Sequence, residues 1–231
     1  MQTASIFAAA AMLCASASAS VIPMGQSAFP DNSTVINFQG IPPGTEVNGL
    51  VVNGVTFSYS VGGQPLNGAV AISNTPPPGV TNNISPPNIF SVGNASGMLG
   101  IQLPAPVFLL GYGYAIITSG TLSNATTISV YSGTTMLGML PYTGMSDPFY
   151  TGGFAGIQST IAFDRVQVSF LSEKTQGFGF SNLLFPRQSP SVPEPSTVWL
   201  MIIGVALLGV SRPLFRSARQ SASECPVKAH P

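Results

Sequence analysis

General acid–base, nucleophilic and metal chemistry all need titratable side chains held close together, and this sequence supplies few. The single histidine is His230, the penultimate residue. A Ser–His or Cys–His pair in the body of the chain is therefore excluded. Asp31, Glu46, Asp147, Asp164 and Glu173 are scattered. Two carboxylates facing each other could cleave a glycosidic bond, but no pair is set at a recognisable spacing, and Asp164 beside Arg165 reads as a local charge pair. Asp31 with Asn32, Glu46 and Asp147 could offer oxygens to Ca²⁺. No Asp-x-Asp spacing supports this, solvated turn acids account for the same residues, and we predict no metal site and no cofactor. No Lys-Ser or Lys-Thr follows a glycine run, so a phosphate-binding loop is absent. Sugar recognition needs exposed aromatic rings beside amides. Tyr112, Tyr114, Tyr131, Tyr142, Phe149 and Tyr150 are the candidates, while Trp199, the only tryptophan, lies near the C-terminus.

The elements that position these groups are short. Of the 231 residues, 45% are hydrophobic and 6% charged, too apolar for charge-driven disorder. Glycine (25) and proline (21) are spread along the chain and interrupt long helices. Cys14 and Cys225 flank a cysteine-free body, which excludes a disulfide framework there. Between residues 20 and 195 three bases face six acids, a balance of −3. Such a body does not attract phosphate backbones, and nucleic acid is not expected as a partner.

Two apolar segments mark the ends. Residues 6–15 have the length of a signal-peptide core, and Ala17-Ser18-Ala19 fits small-residue cleavage with Ser20 as the first mature residue. Residues 2–5 carry no Lys or Arg, so the amino terminus is the only charge ahead of this core. Met12-Leu13 before Cys14 lacks the small residues of a lipidation site. Residues 198–210, Val-Trp-Leu-Met-Ile-Ile-Gly-Val-Ala-Leu-Leu-Gly-Val, form the second segment. As a helix it would reach about 20 Å, against roughly 30 Å of hydrocarbon. Arg212, Arg216 and Arg219 follow, which keeps that end cytoplasmic and places the body outside the inner membrane.

Val192-Pro193-Glu194-Pro195-Ser196-Thr197, then the glycine-containing apolar segment, then the arginines, resembles the PEP-CTERM sorting signal. The resemblance implies that Pro193, Glu194 and Pro195 are read by an exosortase, an intramembrane transpeptidase-like enzyme. The segment from Val198 through Trp199, Gly204 and Gly209 to Val210 would be a transient inner-membrane anchor. Arg212, Arg216 and Arg219 would be its basic cluster. The body would pass to the cell surface or an exopolysaccharide matrix. The two prolines keep the motif extended. The competing reading is a permanent anchor on a proline-rich stem.

Apolar runs alternate with turn residues over residues 33–186, which predicts an all-β antiparallel sandwich. Val55, Phe57 and Tyr59 alternate with Thr56 and Ser58. Ile128 and Val130 alternate with Thr127 and Ser129, and Val166, Val168 and Phe170 with Gln167 and Ser169. Residues 109–117 read as a central strand bent at Gly111 and Gly113. Thr151-Gly152-Gly153 reads as a break, residues 142–150 as a loop, and residues 74–88, with five prolines, as a long surface loop with little to bury. The run from Phe154 to Phe185 resembles the closing strands common in PEP-CTERM proteins and implies a jelly-roll-like sandwich of the carbohydrate-binding-module kind. Ser181-Asn182 stands where many relatives have Asp-Asn. The expected organisation is a signal peptide (1–19), sandwich (20–187), linker (188–191), sorting signal with its hydrophobic helix (192–219) and tail (220–231). The expected role is a non-catalytic structural or adhesive one outside the cell, with glycan binding in the matrix as the alternative.

Overall fold

The structure, a computed structural model of the protein, describes residues 19–74, 84–93, 95–147, 150–171, 173 and 176–187. Its strands are β1 (Val21–Pro23), β2 (Thr34–Ile36), β3 (Leu50–Val52), β4 (Val55–Val61), β5 (Gln64–Pro65), β6 (Ala71–Ser73), β7 (Asn88–Val92), β8 (Met98–Ile116), β9 (Leu122–Ser132), β10 (Thr135–Asp147), β11 (Tyr150–Phe170) and β12 (Gly177–Phe185). A short 3-10 turn, Gln26–Ala28, lies between β1 and β2. The two end segments, residues 1–18 and 188–231, lie outside that set.

All pairings are antiparallel, and hydrogen bonds join the twelve strands into one network. The network forms two facing layers because β8 and β11 pass from one to the other. In the first layer β4 pairs the start of β8, which pairs the end of β11, which pairs β9, which pairs β10; β3 lies on the other side of β4. In the second, β6 pairs β7, β7 pairs β12, β12 pairs the end of β8, and that half of β8 pairs the start of β11, with β1 beyond. The passage falls where the β8–β11 register shifts between Gln158 and Phe163, opposite Val107. Pro104 and Pro106 sit just there on β8; proline donates no ladder hydrogen bond and is tolerated where pairing changes partners.

Period-2 alternation builds the core. Val55, Phe57 and Tyr59 of β4, Ile128 and Val130 of β9, and Val166, Val168 and Phe170 of β11 are all buried, with their polar neighbours outside. They meet the inner side of the second layer. The Phe170 and Phe178 rings stack at 4.1 Å, Tyr59 lies 5.8 Å from Phe178 and Phe57 6.4 Å from Phe180, while within the second layer Tyr112 and Phe180 approach to 4.9 Å. Asn53 and Gly54 both take positive φ (50° and 80°) in the two-residue turn between β3 and β4, the backbone that Asn-Gly favours.

Several expectations are corrected. β8 is a 19-residue strand, longer than the stretch read from the sequence; it changes layers near Val107, and its pairing with β12 shifts register opposite Gly111 and Gly113. Thr151-Gly152-Gly153 lies inside β11 rather than in a turn. A side chain at Gly152 would place its Cβ 2.5 Å from the Tyr114 carbonyl oxygen, so glycine is there for close strand approach. Residues 142–147 belong to β10, and Tyr150 opens β11. Within the expected loop, Ile84 and Asn88 are buried; residues 75–83 lie outside the described set.

The core makes the fold alkali-sensitive. Burial pushes the phenols of Tyr112 and Tyr114 up, Tyr114 to about 12, with Tyr142 adding to both effects. A folded-state pKa above the unfolded value of 10 means that only the unfolded chain loses its proton first. Stability present below pH 10 is thus lost as pH rises, at about 1.4 kcal/mol per pH unit for each such tyrosine. Denaturant titrations at pH 8, 10 and 11.5 are expected to give falling midpoints above pH 10; a flat profile would contradict this.

Candidate functional site

The alternation that buries Phe57, Ile101, Val166 and Val130 turns their neighbours outward on the first layer, and the registers set them in rows across five strands. Thr56 pairs Gln102, Gln102 pairs Arg165, Arg165 pairs Tyr131, and Tyr131 pairs Met136. The next row runs Ser58, Gly100, Gln167, Ser129, Met139. At about 4.8 Å per strand, each row spans roughly 19 Å. Gly100 forms a low floor, because a Cβ there would collide with the Ser58 hydroxyl oxygen. Thr56, Ser58, Gln102, Arg165 and Gln167 wall a groove of about 180 Å³ above it.

Side-chain contacts hold the polar groups in place. The Arg165 guanidinium carbon lies 4.3 Å from the Tyr131 ring centroid, a cation–π contact. The Tyr131 hydroxyl donates to Gln167 Oε1 at 2.7 Å, and the Gln167 amide nitrogen keeps its donor capacity. Gln102 Nε2 donates to the Asp164 carbonyl at 3.1 Å, leaving its Oε1 as an acceptor. Asp164 does not pair with Arg165 as the sequence led us to expect. Its Oδ1 accepts from the Gly133 N–H at 2.8 Å, tying the β9–β10 turn to β11. The arrangement can hold a hydroxylated chain by hydrogen bonds, with methionines at one edge.

Of the aromatic candidates among the described residues, Tyr131 is the one that reaches this face. Tyr112 and Tyr114 are fully buried; the Tyr112 hydroxyl meets Thr126 Oγ1 at 2.9 Å, and the Tyr114 hydroxyl has no hydrogen-bond partner. The half-buried Tyr142 donates to the Gly156 carbonyl. Phe149 lies outside the described residues, and Tyr150 is paired with Asp147 across the hairpin. Thr56, Ser58, Gly100, Gln102 and Gln167 went unnoticed as a group. Each was visible as the polar half of an alternating strand, but the sequence carries no mark of their pairing.

The remaining candidates separate. Glu46 Oε1 accepts from the Gly68 N–H at 2.6 Å, which ties a turn. Among the described residues no three His, Cys, Asp or Glu side chains come together as metal ligands. Ala19 is half-buried, and Ser20 is bound to Thr160 in both directions: its N–H donates to Thr160 Oγ1 at 3.0 Å and its carbonyl accepts from the Thr160 N–H at 3.0 Å. Ala17, Pro193, Glu194, Pro195, Val198, Trp199, Gly204, Gly209, Val210, Arg212, Arg216 and Arg219 lie outside the described residues. Among those that are described, no helix is long and apolar enough to cross a membrane.

A search by sequence finds no matching curated protein. Among solved structures, mutants of CBM29-2, a family 29 carbohydrate binding module, are similar at 12% identity. One covers 66% of this chain and 90% of its own with a TM-score of 0.37. Another, complexed with mannohexaose, covers 66% and 89% at 10% identity and 0.38. The catalytic domain of a GH87 alpha-1,3-glucanase in complex with nigerose is similar at 11% identity over 62% of this chain and 30% of its own, with a TM-score of 0.35. The C-terminal match is of another kind, to a linear motif: residues 191–216 fit the PEP-CTERM protein-sorting motif, tripeptide, apolar segment and first arginines together. The chain is a β-sandwich protein that carries a PEP-CTERM sorting motif at its C-terminal end.

Proposed function

We propose that this is an exported, non-catalytic surface or matrix protein that holds glycan against the outer face of its first layer. In this reading an exosortase-type enzyme acts at Pro193, Glu194 and Pro195, and the segment from Val198 to Val210 is the transient membrane anchor. The sorting motif supports export. The Ser20–Thr160 hydrogen bonds are compatible with cleavage after Ala19, since a chain beginning at Ser20 would keep β1 in place. A non-catalytic role is favoured because Glu46 and Asp164 both spend a carboxylate oxygen on a backbone N–H.

The observation that carries the glycan reading is the row of uncharged amides and hydroxyls around Arg165 and Tyr131. Proteins hold sugars with groups of this chemistry, several weak donors and acceptors on a rigid sheet. Affinity electrophoresis of the purified full chain in gels containing soluble polysaccharides tests it. Retardation is expected for the wild type. Tyr131→Ala and Gln167→Ala are each expected to weaken it about tenfold, near 1.4 kcal/mol. A rival reading, a purely structural matrix component, draws on exposed Met136, Met139 and Met145 on the terminal strand β10. Migration unaffected by every polysaccharide would favour that rival and remove the glycan reading.

A further inference from the structure

Resting on the glycan reading and specifying its ligand, we propose that the face takes an acidic polysaccharide, one whose sugar carboxylates are received by Arg165. Arg165 is the one charged side chain in the groove wall, half-buried between Gln102 and Tyr131. It makes no ion pair among the described residues; the adjacent Asp164 instead accepts from the Gly133 N–H through Oδ1. Its Nε is buried and has no hydrogen-bond acceptor. A guanidinium partly withdrawn from water, with an unmet donor and no counter-ion, is under-solvated. The Tyr131 ring centroid lies 4.3 Å from its Cζ, and the ring supports the guanidinium from one side. The Nη groups at its open end are then oriented donors for a planar anion, the geometry in which arginine binds carboxylate in two parallel hydrogen bonds.

The neighbouring groups point the same way. Gln167 lines the groove and keeps its amide N–H groups as donor capacity while its oxygen accepts from the Tyr131 hydroxyl, and Thr56 and Ser58 add hydroxyls. The wall mixes hydroxyls, amides and the Gln102 Oε1 acceptor around one cation, so the charge of Arg165 is what favours an anionic ligand over a neutral polyol. The balance of −3 over residues 20–195 opposes an anion only weakly. Charges farther than about 8–10 Å from the groove are screened at physiological ionic strength, whereas a contact at Arg165 is not. A neutral glycan can accept hydrogen bonds from the guanidinium but brings no counter-charge.

The test uses the full purified chain in mild detergent, with polygalacturonate and alginate as acidic probes and dextran and galactomannan as neutral ones. A fifth probe is polygalacturonate whose carboxyls have been reduced to alcohols. The wild type is expected to bind the acidic polymers at least tenfold more tightly than the neutral or reduced ones at low salt, with the preference shrinking as salt rises. Arg165→Gln is expected to remove the preference. Arg165→Lys, which keeps the charge without the fork, is expected to retain less than a fifth of the affinity. The reduced polymer makes the test independent of whether the variants fold. Equal binding of native and reduced polygalacturonate overturns this inference and leaves the glycan reading in place. Binding to none of the five overturns both.

Discussion

Phe178→Ala is expected to cost about 3–5 kcal/mol, the range for removing a large aromatic side chain from a packed interior. That is a large share of the roughly 5–15 kcal/mol that holds a domain folded. Phe178 is fully buried on β12 and joins the two layers: its ring stacks on Phe170 at 4.1 Å and meets Tyr59 at 5.8 Å, both from the opposite layer. Those two residues belong to different strands, β11 and β4, so truncation opens a cavity bordered on several sides. Such a site collapses poorly, since Phe170 cannot follow without pulling β11 from β9. Phe178→Leu keeps most of the volume and is expected to cost less than half as much. Urea titration followed by the core tyrosines measures both. A loss below 1 kcal/mol for the alanine variant would mean that the layers are not packed through this ring.

The second large effect concerns address rather than stability. Replacing Pro193-Glu194-Pro195 by three alanines in the native host is expected to abolish C-terminal processing. Intact-mass measurement should then find the chain still ending at Pro231. The wild type is expected to end near residues 193–196, without the apolar segment. The effect should be close to all-or-none, because an enzyme that reads a rigid extended tripeptide loses its recognition element altogether when the prolines no longer hold that shape. Melting of the sandwich should be unchanged. An unprocessed wild-type chain would make residues 198–210 a permanent anchor and would remove exosortase as a partner.

The strands with the most regular alternation were readable before any coordinates. Val55, Phe57 and Tyr59 bury one side of β4 because a two-residue period leaves a sheet only one way to hide its apolar half. Strand length was not readable. β11 runs 21 residues through two glycines that look like a turn, because Gly152 answers to the Tyr114 carbonyl and Gly153 lies against the Tyr114 ring rather than at a chain reversal. Tyr112 and Tyr114 suggested ligand contact, yet they fill the space between layers. Deciding between a core ring and a surface ring requires knowing which side of this half of β8 the opposite layer covers.

The sorting signal was determined by the sequence alone, since a tripeptide, an apolar stretch and a basic cluster are recognised along an extended chain and need no tertiary partner. The class of fold was determined in the same way, by composition and by the alternation of polar and apolar residues. Only the tertiary structure decided which polar residues share a face. Thr56, Gln102, Arg165 and Tyr131 come from four strands, and their alignment depends on three successive registers. A slip of one residue in any of these would turn that strand's polar side chains into the core. Each register is held by the packing of the opposite side, so the groove is a consequence of the core that no local stretch of sequence encodes.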